Sequence, residues 1–259
     1  MTHLQISADL SYRLPAPCTI LVQLEAAATP DQTLTRTDIH IGPANSQAVV
    51  PAHDGIGTRL WTTQQEQLTV SYAAQVAIDR ATPDFATLPA TALNDLPGQA
   101  VPYLFNSLYC SVHAFDELVA GEFPGLTGGP LVSAMADYIG QTMTYGSDVD
   151  NANSNARQSF DARKGVCRDY AHILISMARA ANIPARFAST YAPDVRPQDF
   201  HAVAEIFLDG RWHLIDPTGM AQASDMAVIG IGRDATDVSF LTAFGSMQMV
   251  EQKVDVRRI

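Results

Sequence analysis

The sequence is poor in three things, and each shortage excludes a class of protein. It has three cysteines, Cys18, Cys110 and Cys167, far apart along the chain. None has C-x-x-C or other metal-ligand spacing, so no metal, cofactor or dithiol redox centre is expected. Basic residues are scarce: 16 Lys and Arg stand against 27 Asp and Glu, a formal net charge of -11. A surface of that sign repels phosphate backbones and anionic lipids, which argues against nucleic acid or a membrane as the main partner. Long apolar runs are missing too. None approaches the ~20 residues that cross a bilayer, and MTHLQISADL lacks the basic-then-apolar pattern of a secretory leader. An odd cysteine count with no such leader fits a reducing, cytoplasmic compartment.

The chain does hold enough apolar side chains, 47% of 259 residues, to build one or two domains. Residues 1–80 carry short strand patterns at Cys18 to Glu25, Leu34 to Ile41, Arg59 to Thr62 and Gln67 to Ile78. Turn signals lie near Gly42-Pro43 and Asp54-Gly55. No helical periodicity intervenes, so a small all-β sandwich is expected here. Residues 81–102 hold Pro83, Pro89, Pro97 and Pro102 and read as a linker. Residues 103–259 then form a second domain of helices and strands. Leu131 to Met143 has helical spacing, Gly146 to Arg157 reads as a polar loop, and Met226 to Ile231 and Met247 to Val256 read as closing strands.

The chemistry concentrates between Gly165 and Gly219. Val166, Tyr170, Ile173, Leu174, Met177 and Ala181 recur at spacings of three and four, one buried face of a helix. Asn182 followed by Ile183-Pro184 ends it. Cys167 falls in the first turn, where free N–H groups and the positive end of the macrodipole favour a thiolate and could bind an oxyanion. Downstream, Phe200 to Leu208 and Arg211 to Ile215 flank Asp209-Gly210, a two-residue hairpin turn. Such a turn pairs Leu208 with Arg211 and, continuing, Val203 with Asp216. Side chains alternate along a strand, so His201 and Asp216 become diagonal neighbours on one face, while His213 points to the other. Cys167, His201 and Asp216 thereby form a candidate nucleophile, base and orienting group.

Neighbouring groups are assigned lesser roles. Asp169, two residues after Cys167, points away from the thiol and serves a local ion pair or the first-turn N–H groups. His172 lies about 140° around the helix and is rejected as the base. Glu205 shares the His201 face; it supports the histidine or pairs with Arg186. Cys18 and Cys110 are expected to pack, and Arg233 to Val238 to form an Arg-Asp loop network.

The segments GVCRDYAHILISMARAANIPARFASTY and HAVAEIFLDGRWHLIDPT resemble the transglutaminase-like superfamily, in its bacterial branch. The match runs through Gly165, Cys167, Asp169, Arg179, Ile183-Pro184-Ala185-Arg186, His201-Ala202, Glu205, Trp212 and Asp216-Pro217-Thr218. Val203 stands where many members carry Trp. The resemblance implies an α+β fold: a papain-like transglutaminase core, with a catalytic helix packed on an antiparallel sheet, preceded by the β-sandwich. It also implies Cys167 as nucleophile, His201 as base and Asp216 as orienting group. Met143-Thr144-Tyr145 resembles the aromatic segment before the catalytic helix, so Tyr145 is a candidate hydroxyl at the cleft. Trp212 is a candidate for binding substrate or supporting the site. The function implied is acyl transfer from an amide of a peptide or protein through a thioester. Water as acceptor makes a protease or amidase, an amine makes a transglutaminase, and a silent binding module is the third reading. Hydrolysis is favoured because nothing marks an amine site.

Overall fold

The computed structural model describes residues 1–42, 47–146 and 153–259. Pro43 of the first expected turn and residues 147–152 of the polar loop lie outside them. Six strands come first: β1 Thr2–Arg13, β2 Cys18–Val22, β3 Gln32–Gly42, β4 Gln47–Pro51, β5 Thr58–Gln64 and β6 Gln67–Ile78. There follow α1 Asp116–Glu122, α2 Gly128–Thr142, β7 Thr144–Tyr145, α3 Ala156–Ala162, β8 Lys164–Gly165 and α4 Cys167–Ala180. The rest is strand: β9 Ala185–Tyr191, β10 His201–Leu208, β11 Arg211–Ile215, β12 Ala227–Gly232, β13 Leu241–Ala243 and β14 Gln248–Arg258.

The N-terminal strands alternate apolar and polar residues, and the structure turns one side inward. Leu4, Ile6, Ala8, Leu10 and Tyr12 of β1 are buried, as are Leu68, Val70, Tyr72, Ala74, Val76 and Ile78 of β6. They meet Ile20, Val22 and Leu60 from a second sheet in one core. Two antiparallel sheets result, β14-β1-β6-β3 and β13-β2-β5-β4, the expected sandwich.

Two features differ from the sequence reading. Of the two expected closing strands, β12 pairs with β9, but β14 leaves the second domain for the sandwich, and so does the short β13, which the sequence reading did not mark. β13 pairs with β2, and β14 pairs with β1 from Leu4↔Arg258 to Arg13↔Gln248. The physical reason is that β1 and β2 each have a second edge to pair and an apolar side to cover: Val254 and Val256 join that core. The proline-rich stretch is also no loose linker. It makes short 3₁₀ turns at Phe85–Thr87, Leu93–Asp95 and Val101–Leu104. It is fastened to the β10–β11 turn, where Asp209 N–H donates to Pro89 O (3.1 Å) and Gly210 N–H to Thr91 Oγ1 (3.0 Å).

The second core forms around α4, which packs on β9 and β10 and against α2 and α3. From Tyr170 to Arg179 every residue of the helix is buried, so it is wrapped on all sides rather than lying on the surface. Asn182 ends it in the left-handed conformation, φ 58°, as its position before Ile183-Pro184 leads one to expect. Arg179 (1% exposed) ties this end down. Its guanidinium donates to Ala185 O (3.0 Å), Phe105 O (2.9 Å), Ser107 Oγ (3.2 Å) and Arg233 O (2.6 Å).

Candidate active site

The start of α4 is built by its own sequence. Val166, the residue before the helix, is extended (φ -102°, ψ -179°). Asp169 Oδ2 accepts the Val166 N–H at 2.9 Å. Its Oδ1 accepts from Ser159 Oγ (3.2 Å) and Arg168 Nη2 (3.0 Å). Asp169 thus satisfies a first-turn N–H and carries a local ion pair. Gly165 makes room for it, since a Cβ there would stand 2.6 Å from the Asp169 Cβ. The G-x-C-x-D spacing is therefore a folding rule that fixes where Cys167 sits. Cys167, half-buried, occupies the first helical position, where its N–H has no partner within the helix.

The hairpin delivers the histidine and the carboxylate. Asp209 (φ 49°) and Gly210 (φ 71°) both take positive φ, the requirement of a tight two-residue turn. The register follows: Leu208↔Arg211, Ile206↔His213, Ala204↔Ile215. His201 Nε2 and Asp216 Oδ2 lie 2.8 Å apart, with side chains 0% and 1% exposed. Asp216 is held from all round. Oδ1 accepts from Thr218 N–H (2.9 Å) and Thr218 Oγ1 (2.7 Å), and Oδ2 also accepts from Met220 N–H (3.1 Å) and Ala221 N–H (2.9 Å). The residues ahead of His201 are anchored on β14. Gln198 bonds the N–H and O of Val256 (2.6 and 2.8 Å), and Asp199 Oδ1 accepts from Gln252 (2.7 Å).

Burial alone would lower the pKa of His201. The hydrogen bond to Asp216, the contact with the Cys167 thiol and the charges of both outweigh it and raise the imidazole from 6.5 to about 9. Asp216 also feels burial first, which opposes its charge, yet His201 and Thr218 hold it below the usual carboxylate range. Nε2 is committed to Asp216, and Nδ1 is buried with no hydrogen bond of strict geometry. Nδ1 is thus the nitrogen left for the thiol. Tyr145 joins this group. Burial raises its phenol pKa, and the charge of Cys167 adds to the rise, while the Cys167 main-chain N–H acts on the phenol oxygen in the opposite sense. Tyr145 is carried there by the short pairing of β7 with β8, Tyr145↔Gly165.

Two candidates meet elsewhere. Glu205 Oε2 pairs with Arg186 Nε at 2.6 Å, and the Arg186 guanidinium lies 4.0 Å from the Trp212 ring centre. The Glu205–Arg186 pair is the simpler of the two roles expected for that carboxylate. His213 turns to the other face, bonding Leu208 O at 3.1 Å. His172 is fully buried, and burial drives its pKa down to about 3. The Cys110 thiol is buried and pushed up to about 12. Sequence reasoning passed over the Thr218 hydroxyl and the Gln198 and Gln252 tethers. Asp-Pro-Thr does signal a side-chain turn of this kind. No local pattern announces a bond to β14.

Helix, hairpin and wrapped core define an α+β protein with a transglutaminase-like core. Residues 119–217 match the family model described as the transglutaminase-like superfamily, so the resemblance read from the motifs stands for that segment. The crystal structure of "a Putative Cysteine Protease from Cytophaga hutchinsonii" is similar over the whole chain. It has 28% identity and a TM-score of 0.94, covering 100% of this chain and 91% of that one. An uncharacterized protein of Mycobacterium leprae is 27% identical over 117 residues. That match spans only 42% of the relative's length. The family-model match and the likeness to the "Putative Cysteine Protease" support, in general terms, a family of cysteine-based enzymes.

Proposed function

We propose that this protein is a cysteine-dependent acyl-transfer enzyme that acts on amide bonds of peptides or proteins, with water as the acceptor. The observation that carries the reading is the buried His201–Asp216 pair (2.8 Å) beside a half-buried cysteine at the first position of a helix. His201 takes the Cys167 proton through Nδ1. Asp216 holds the other nitrogen and stabilises the imidazolium. The thiolate adds to the amide carbonyl, and the Cys167 N–H and Tyr145 hydroxyl are the donors at hand for the oxyanion. The C–N bond breaks as His201 protonates the departing amine, which leaves a thioester. Water, deprotonated by His201, then releases the acid and regenerates the thiol.

The setting we propose is a reducing, cytoplasmic one, supported by three cysteines that remain free thiols. The test is turnover of peptide amides with and without an added primary amine, alongside iodoacetamide labelling of Cys167. Hydrolysis that needs Cys167 supports the reading, and amine incorporation moves it to a transglutaminase. A folded protein in which Cys167 resists iodoacetamide and no amide turns over leaves the silent binding module.

A further inference from the structure

We infer that the open edge of β11, the strand that runs into Asp216, docks an extended stretch of the protein substrate. This rests on the acyl-transfer reading and names the substrate class: unfolded or extended polypeptide rather than free small amides. β11 is the outermost strand of the sheet β11-β10-β9-β12. Phe207 N–H donates to Pro184 O, so the odd positions of β10 bond toward β9. The even ones, Ala204, Ile206 and Leu208, bond toward β11, where their partners are Ile215, His213 and Arg211. The N–H and C=O of Trp212 and Leu214 must then point outward. Among the described residues none bonds to them.

Trp212 and Leu214 line a groove of about 920 Å³, together with Ala28, Asp31, Arg80, Ala81 and Asp216. Arg80 braces the wall, bonding Asp31 (2.5 Å) and the carbonyl oxygens of Ala223 (2.8 Å) and Met226 (2.7 Å). Two donors and two acceptors, one pair at every second residue, are complementary to one kind of ligand, another extended backbone. Two pairs of charges at the groove are matched, Arg80 with Asp31 and Arg186 with Glu205, and Asp79, Asp209 and Arg211 also line it. Besides these charges the groove offers main-chain bonding and the apolar sides of Trp212 and Leu214. A folded partner has few free backbone groups to bring to it, whereas an unfolded segment has one set per residue.

The experiment uses the full chain with Cys167→Ala, so that nothing is turned over, and fluorescein-labelled β-casein as an unfolded probe. Saturable binding is expected. In NMR-detected hydrogen exchange, casein should slow the Trp212 and Leu214 amides at least tenfold and leave Arg211 and His213 unchanged. Ala81→Trp in the same background, at an exposed position, should weaken binding at least tenfold. With Cys167 restored, Ala81→Trp should still turn over a peptide p-nitroanilide within twofold of the parent. Absent binding, unmoved Trp212 and Leu214 amides, or undiminished binding in Ala81→Trp each overturns the docking edge. Failure of the parent to turn over the p-nitroanilide, by contrast, is a failure of the acyl-transfer reading.

Discussion

Two buried histidines meet α4, and their surroundings push them in opposite directions. His201 faces a carboxylate and a thiol and is raised to about 9. His172 stacks on Tyr109 (5.1 Å between ring centres), and its Nε2 accepts the Ala235 N–H (3.2 Å). There burial dominates; the attraction of Asp234 is opposed by Arg168 and Arg179, and the pKa falls to about 3. Depth alone thus does not decide a histidine's charge. A carboxylate in direct contact does, because in a low-dielectric site it outweighs the lost hydration. One region is arranged to hold a proton through neutral pH, the other to refuse one.

The largest effects should break the His201 side. Cys167→Ala should abolish amide turnover, a loss on the order of 10⁴-fold or more, measured with a peptide p-nitroanilide. His201→Ala should cost about 10³-fold or more and slow iodoacetamide labelling at neutral pH at least tenfold, since the thiol loses its proton acceptor. Asp216→Asn should cost roughly 10²–10⁴-fold in turnover. It should also bring the His201 titration, followed by NMR, down from about 9; a titration left near 9 would mean that Asp216 is not what raises it.

The next predictions contrast the two histidines through stability. A raised pKa stabilises below the unfolded value of 6.5, and that share is lost as pH climbs through about 9. A lowered pKa works the other way: for His172 stability drains as pH falls from 6.5 toward about 3. Urea midpoints should therefore decline on both limbs. Asp216→Asn should flatten the alkaline limb and His172→Phe the acid one, each by on the order of 1–3 kcal/mol. His172→Phe should leave turnover within a few-fold. The smallest effect expected is Glu205→Gln: no more than about 1–3 kcal/mol of stability lost with the Arg186 pair, and p-nitroanilide turnover within about threefold.

Much of the arrangement was legible in the sequence, for local reasons. Asp209-Gly210 set the hairpin turn, and a two-residue turn sets the register of every pair behind it. Gly165 and Asp169 set the helix start, and Asn182 its end. Each signal acts within a few residues of its effect. Long-range pairing was not legible in this way. β14 reads as a strand, but nothing in Gln248–Arg258 says that its partner is β1. That choice belongs to an edge left free on the far side of the fold. Tyr145 was marked by the family resemblance alone, since the two-residue ladder that brings it to Cys167 is too short to leave a period.

That β1–β14 pairing joins segments far apart along the chain. β1 lacks one neighbour until Gln248–Arg258 is in place. Those residues also hold Gln252 and Val256, which moor Asp199 and Gln198 just ahead of His201. A fold without that strand would keep the helix start that carries the thiol and lose the tethers ahead of the imidazole. Closing the sandwich with β14 and steadying His201 are therefore coupled.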